Sequence, residues 1–195
     1  MVVRKPTIPL SLVPNHLRVA TEEHEFRQIW TLRAHEYMPL YPAVTYFQDD
    51  IYDGNACVLY GQDQHGTVTS TGRIVFDGPL GLPADEIIQP EIDKLRSQGL
   101  RVAESSKFAI SPAARGLLPL YFYTYYEIAV RYEIDSLIFI IRDKNVKLYQ
   151  KTAQAKILLD DIGYHYGTQF RFSLLECRVQ EVIPTFLQHW GELTL

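Results

Sequence analysis

The run 136–142, SLIFIIR, constrains the fold more than any other stretch. It is strand length, and from Leu137 to Ile141 it is a continuous apolar run without alternation. That pattern predicts a strand covered on both faces, inside a sheet with helices on either side. It is far too short to span a membrane. The covering helices are visible nearby. TEEHEFRQIWTLRAHEY, from Thr21, opens on a threonine cap with glutamate in the turn that follows. Phe26, Ile29, Trp30, Arg33 and Tyr37 recur at helical spacing, and Pro39 and Pro42 end the pattern.

The remaining segments fit around this strand. NACVLYGQ and GTVTSTGRIVF are strand candidates joined by a polar turn at Gln62–Gly66. LPADEIIQPEIDKLRSQG predicts a short helical connection, interrupted at Pro90 and ended by Gly99. RVAESSKFAIS predicts the next strand. ARGLLPLYFYTYYEIAVRYE is too long for one strand and predicts a helix with Leu118, Phe122, Tyr125 or Tyr126, and Ala129 on one face. A basic helix is expected over roughly 144–158, then a last strand in YGTQFRFSLLEC. Residues 1–20 read as an extended lead-in to a single domain spanning 1–195. The expected class is α/β, a mixed α+β sheet. One crossover makes strands 101–110 and 136–142 parallel neighbours.

Charge and composition exclude several functions. A formal net charge of −4 opposes general nucleic-acid binding, which needs a basic field. Cys57 and Cys177 fit no metal or redox spacing, and the six histidines show no ligand pattern, so no metal is expected. The N-terminal stretch is broken by three prolines and reads as neither signal peptide nor membrane helix. A cytoplasmic protein is expected.

Within RVAESSKFAIS the charges are out of place for a core strand. Strict alternation puts Val102, Glu104, Ser106, Phe108 and Ile110 on one side and Lys107 on the other. Only a bulge between Glu104 and Lys107 would bring both to one side.

Four motifs resemble the GNAT superfamily of acyltransferases, in the branch containing the N-acyl-homoserine-lactone (autoinducer) synthases and the N-acyl amino acid synthases. DDIYD is similar to that branch's Asp-x-x-Asp element, with Asp50 and Asp53 at its acidic positions. STGRIVF resembles its arginine-bearing strand, here Arg73. ESSKF is similar to the Glu-x-Ser-Arg-Phe signature, with Lys107 in place of the arginine. RAHEY resembles an Arg-x-x-x-aromatic element, here Arg33 and Tyr37. The tryptophan that the lactone synthases carry beyond this aromatic is absent. That favours the amino acid synthases over an enzyme using S-adenosylmethionine. A Gly-rich pyrophosphate loop is missing too. SPAARGLL keeps only Arg115 and Gly116 suggestive of it, which favours an acyl carrier protein thioester over acyl-CoA as donor.

The resemblance implies a GNAT-like fold with a bulge near the centre of strand 101–110. It also implies transfer of a fatty acyl group to the amine of an amino acid, with no bound cofactor. Glu104 would be the general base, with Arg73 and Lys107 beside it. Asp50, Asp53, Arg33 and Tyr37 would bind the acceptor. Backbone amides near Phe108, Ala109 and Ile110 would grip the thioester, with Arg115 and Gly116 at the donor's far end. Tyr149 lies where many superfamily members protonate the leaving thiol. Arg142, Lys144, Lys147 and Lys151 form a local basic patch able to steer an acidic carrier protein. The aromatic helix could line an acyl groove, and an acylated product could bring peripheral contact with lipid. Two alternatives stay open from the sequence: an autoinducer synthase, and a non-catalytic module that binds acylated carrier protein or lipid.

Overall fold

The computed structural model describes residues 16–41, 50–165 and 167–190. A seven-stranded sheet forms the centre. Its strands are β1 (Arg18–Val19), β2 (Ala56–Gln62), β3 (Val68–Phe76), β4 (Val102–Ile110), β5 (Ser136–Arg142), β6 (Lys156–Tyr164) and β7 (Arg171–Arg178). The helices are α1 (Glu23–Tyr37), α2 (Asp85–Ser97), α3 (Leu118–Arg131), α4 (Val146–Thr152) and α5 (Val179–Trp190). The strand order is β1-β2-β3-β4-β5-β7-β6, antiparallel except for the parallel β4–β5 pair.

The expected double coverage of SLIFIIR is met. Leu137, Phe139 and Ile141 join a core with Tyr121, Phe122, Tyr125 and Ile128 of α3. Ile138 faces the opposite core, with Ile29 and Leu32 of α1 and Ile92 and Leu95 of α2. Side chains buried this fully contribute about 1.5–3 kcal/mol each against exposure. β5 is therefore pinned from both sides, and its neighbours inherit a fixed register.

Local signals hold with small shifts. Glu22, not Thr21, caps α1, and Glu25 closes the box by accepting from the Glu22 N–H. In α2 the chain kinks at Ile88, two residues before Pro90, whose ring clashes with the preceding turn. Gly99 takes φ +76° just past its end.

The C-terminal third departs from expectation. The basic helix over 144–158 is instead a short 3₁₀ turn (Asp143–Asn145), the seven-residue α4, and then strand β6 from Lys156. A two-residue strand, β1, emerges in the lead-in, whose first fifteen residues lie outside the described ones. Helix α5 follows the strand that was expected to be last.

The bulge is present in β4. Arg73 pairs with Ser106, while Thr71, two residues earlier, pairs with Ala109, so Lys107 and Phe108 on β4 oppose the single Gly72 on β3. Lys107 takes φ +53°, the left-handed conformation that turns its side chain to the other face. Phe108 then rejoins the α3 core, and Ala109 the α1/α2 core. β4 and β5 pair only from Val102↔Ser136 to Glu104↔Ile138 and part beyond that. Their divergence ends the β4–β5 ladder at Glu104.

Gly72 sits opposite the bulge. A Cβ there would overlap the Tyr125 hydroxyl and press on the Phe108 ring. Gly72→Ala should destabilise the fold by roughly 1–3 kcal/mol through overpacking. The urea midpoint checks this, and an unchanged midpoint would show that the bulge has room to spare.

Candidate active site

The space opened between β4 and β5 is a cavity of about 520 Å³. Glu104, Lys107, Phe108, Arg73, Tyr37 and Asp50 line it. Tyr41, Ile140, Arg142, Tyr149 and Phe172 line it as well. The bulge puts Glu104, Ser106 and Lys107 on one side of the sheet, which a regular strand cannot do.

Glu104 is 3% exposed. One carboxylate oxygen accepts the Ala84 N–H at 2.7 Å, at the start of α2. Burial raises its pKa to about 7. The Ala84 hydrogen bond and the Arg73 and Lys107 charges pull the other way and only moderate that rise. A carboxyl titrating near neutrality beside a cavity is suited to accept a proton at physiological pH. Glu104 forms no ion pair with Arg73, so it is not a sheet-stiffening partner of that arginine; Arg73 is engaged elsewhere.

Arg73 and Arg33 are each 1% exposed and converge on Asp53. Arg33 Nη1 donates to Asp53 Oδ2 at 2.7 Å, and Arg73 Nη1 donates to Oδ1 at 2.7 Å. Burial alone would raise the Asp53 pKa, but the two arginines outweigh it and hold the carboxyl below its usual range. Both Asp53 oxygens are committed to these two guanidinium groups, and Asp53 does not line the cavity. Asp50 caps the 3₁₀ turn Ile51–Asn55 by accepting from the Tyr52 N–H at 3.0 Å, as a turn aspartate does. It also lies 3.0 Å from Arg73 Nη1 and 3.6 Å from Lys107 Nζ. Arg73 Nε donates to Ser106 Oγ at 3.1 Å, tying β3 to the bulge. Burial, then the neighbouring Arg73 charge, lowers the Lys107 pKa, with Asp50 opposing.

Tyr37 donates to the Phe108 carbonyl at 2.7 Å, so it holds the bulge from α1 as well as lining the cavity. Arg33 does not line the cavity. Its Nε and Nη2 are buried without hydrogen-bond partners among the described residues. Of Phe108, Ala109 and Ile110, only Phe108 reaches the cavity. Arg115 and Gly116 are exposed on the 3₁₀ turn Pro112–Leu117 and do not line it. Tyr149 does; its ring packs edge-on against Phe122 and Phe139 at 5.3 Å each, and burial pushes its hydroxyl up to about 12.

The basic patch divides. Lys144, Lys147 and Lys151 are exposed and make no ion pair among the described residues. Arg142 leaves this group and lines the cavity. Tyr52 and Glu86 were missed by sequence reasoning. Tyr52 donates to Glu86 Oε1 at 2.8 Å at the cavity wall, and the Arg73 guanidinium lies 5.8 Å from its ring centre. Tyr52 lies inside DDIYD, and that motif was the available signal.

Among the described residues, no cluster of His, Cys, Asp and Glu could hold a metal ion, and no helix is long and apolar enough to cross a membrane.

Known structures share this architecture. The structure of FeeM, an N-acyl amino acid synthase from uncultured soil microbes, superposes with TM-score 0.71 at 19% identity, covering 91% of this chain and 96% of that one. The AHL synthase LasI superposes with TM-score 0.59 at 18% identity, covering 85% and 91%. An N-acetyltransferase from Staphylococcus aureus Mu50 gives 0.57 at 11% identity, covering 84% and 97%. At these identities the likeness establishes the GNAT fold. A search of curated protein sequences finds no match. The family model described as N-acyl amino acid synthase FeeM matches residues 28–177, which include every motif quoted above. The chain is an N-acyltransferase and belongs to the FeeM family of N-acyl amino acid synthases.

Proposed function

We propose that the protein transfers a fatty acyl group from an acyl carrier protein thioester to the amino group of an amino acid. One observation carries this reading: a buried carboxyl titrating near 7 lines a cavity that opens where two parallel strands part. The amine must be neutral to attack, and such groups have pKa values of roughly 8 or higher. Glu104 takes that proton, directly or through one water. Amides of β4 beyond Glu104, where its ladder with β5 ends, face the developing oxyanion. The tetrahedral intermediate collapses with loss of the thiolate, and Tyr149, still protonated at neutral pH, supplies its proton. Lys107 and Arg73 place positive charge beside the acceptor, while Asp50 lies within reach of its ammonium before deprotonation.

A carrier-bound donor is supported by the exposed Lys144, Lys147 and Lys151, which make no ion pair among the described residues, and by the position of Arg115 and Gly116 outside the cavity. Changing the three lysines to glutamate should raise the KM for carrier-bound donor by roughly 10-fold and flatten its salt dependence. A KM and salt dependence matching the parent would remove carrier docking from this face. The function itself is tested by mass spectrometry of organic extracts from cells expressing the protein. Accumulation of an N-acyl amino acid, absent with Glu104→Gln, supports it; a lactone product would contradict it.

A further inference from the structure

The N–H that Glu104 accepts comes from Ala84, where α2 begins, and Arg96 in the last turn of that helix reaches back to the same place. Its Nη1 and Nη2 donate to Asp85 Oδ1 and Oδ2 at 2.8 and 2.7 Å. Its Nε and Nη2 donate to Asp77, just past β3, at 2.7 and 2.9 Å. Nη1 also donates to Asp93 at 2.8 Å. A guanidinium has five N–H donors, and these bonds match that number. Eleven residues separate Asp85 from Arg96. A straight helix would set them roughly 16 Å apart along its axis, beyond an arginine's reach. They meet because α2 bends at Ile88, ahead of Pro90. The kink thus lets one side chain join the end of β3 to both ends of α2.

This clamp acts on Glu104 in two ways. Asp85 Oδ2 also accepts the Leu82 N–H at 2.7 Å, so the chain is fixed on both sides of Ala84. The Ala84 N–H then meets the Glu104 carboxylate at 2.7 Å. Burial and the Asp85 charge favour the protonated Glu104, while the Ala84 bond, Arg73 and Lys107 favour the anion. Arg96 offsets the Asp85 charge by pairing with it and secures the Ala84 bond by holding the segment. Of the other titratable groups on the cavity wall, Asp50 pairs with Arg73 and Tyr52 bonds Glu86, and neither pair meets Arg96. Arg96 itself stays out of the active cavity. With Asp77 and Asp85 it lines a second one, of about 910 Å³.

We infer that Arg96 is a positioning residue for Glu104, clamping Asp85 to Asp77 so that the Ala84 N–H stays on the carboxylate and the Asp85 charge is masked from it. This rests on the reading of Glu104 as general base and extends it to the side chain that tunes that base. Loss of the clamp weakens the hydrogen bond and exposes the like charge, and both changes make Glu104 harder to ionise.

Carboxyl-13C labelling of glutamate follows Glu104 by NMR, its signal identified by its loss in Glu104→Gln. The parent midpoint should lie at about 7. In Arg96→Gln it should rise to roughly 8, as expected when a carboxylate loses one hydrogen bond. With L-tyrosine and a dodecanoyl carrier-protein thioester, kcat/KM should fall roughly 10-fold at pH 6.5 yet stay within about 2-fold of the parent at pH 9. The donor KM should not move. Arg96→Lys keeps the charge but loses the fork, so its midpoint should fall between the two. It also serves if Arg96→Gln fails to melt cooperatively. A folded variant with the parent's midpoint overturns the clamp, as does an equal loss of activity at every pH. A parent midpoint near the ordinary 4.5 contradicts the general-base reading, and the clamp with it. A midpoint that moves with Arg96 in a protein that acylates no amine supports the clamp and counts against the proposed activity alone.

Discussion

Replacing Glu104 with glutamine should lower kcat by roughly 10²–10³-fold, the usual range for loss of a positioned general base, and should also stabilise the protein at alkaline pH. The second half follows from burial. The folded-state pKa is about 7, above the ordinary value of 4.5. A carboxyl raised in this way favours folding fully below the unfolded value, and that contribution is lost as pH rises through the folded one. Above pH 7 the native state therefore holds a costly buried anion that glutamine does not become. The difference between the two proteins should grow from near zero below about pH 4.5 to a plateau above pH 7. The plateau is on the order of 3 kcal/mol. Glutamine keeps an oxygen able to accept the Ala84 N–H, so the local frame survives. Urea unfolding of both proteins at pH 5 and pH 8 checks the trend. Equal stabilities at pH 8 would mean that Glu104 is not strained by its surroundings.

The largest loss of stability should come from Asp53→Asn. One carboxylate neutralises two guanidinium groups that are each 1% exposed. Removing its charge leaves two buried cations facing each other, with Asp50 alone beside Arg73. Breaking a buried pair by removing one partner costs about 3–5 kcal/mol, a large part of the roughly 5–15 kcal/mol that holds a domain folded. Activity should fall with it, because Arg73 also anchors Ser106 at the bulge. The pH sign is opposite to that of Glu104. The Asp53 pKa is held down in the folded state, so its contribution is present above the unfolded carboxyl range, near 4, and fades as pH falls through the folded value. Thermal melts of parent and Asp53→Asn at pH 7 measure the loss. A melting temperature within a degree or two of the parent would contradict the account of this cluster.

Why some of this was legible in the sequence and some was not has a physical basis. SLIFIIR announced its double burial because the five residues from Leu137 to Ile141 are apolar without a break, and the parallel crossover followed from the helix between it and ESSKF. The bulge was legible because Glu104 and Lys107 cannot share a face in a regular strand, and the family resemblance implied that an irregular one was there. β6 was hidden for the converse reason. It is an edge strand with mostly exposed residues, KILLDDIGY, and shows no alternation to set it apart from the lysines that precede it. The spacing of Lys144, Lys147 and Lys151 then read as one long helix. Arg142 was grouped with those lysines by sequence proximity. Its separation from them depends on where β5 ends relative to the opening, and no local pattern encodes that. Tyr52 and Glu86 come from segments far apart in sequence and meet only because the 3₁₀ turn and α2 pack on the same side of the sheet.

The central claim is that Glu104 accepts the amine's proton from within the opened sheet. The pH dependence of kcat/KM for acyl transfer, measured with purified parent and Glu104→Gln, tests it most directly. The account predicts that parent activity falls below an apparent pKa near 7, as the carboxyl becomes protonated and can no longer act as base. The same limb should be missing from the residual activity of the glutamine variant. A parent profile flat from pH 5.5 to 8, or an identical limb in both proteins, would contradict it.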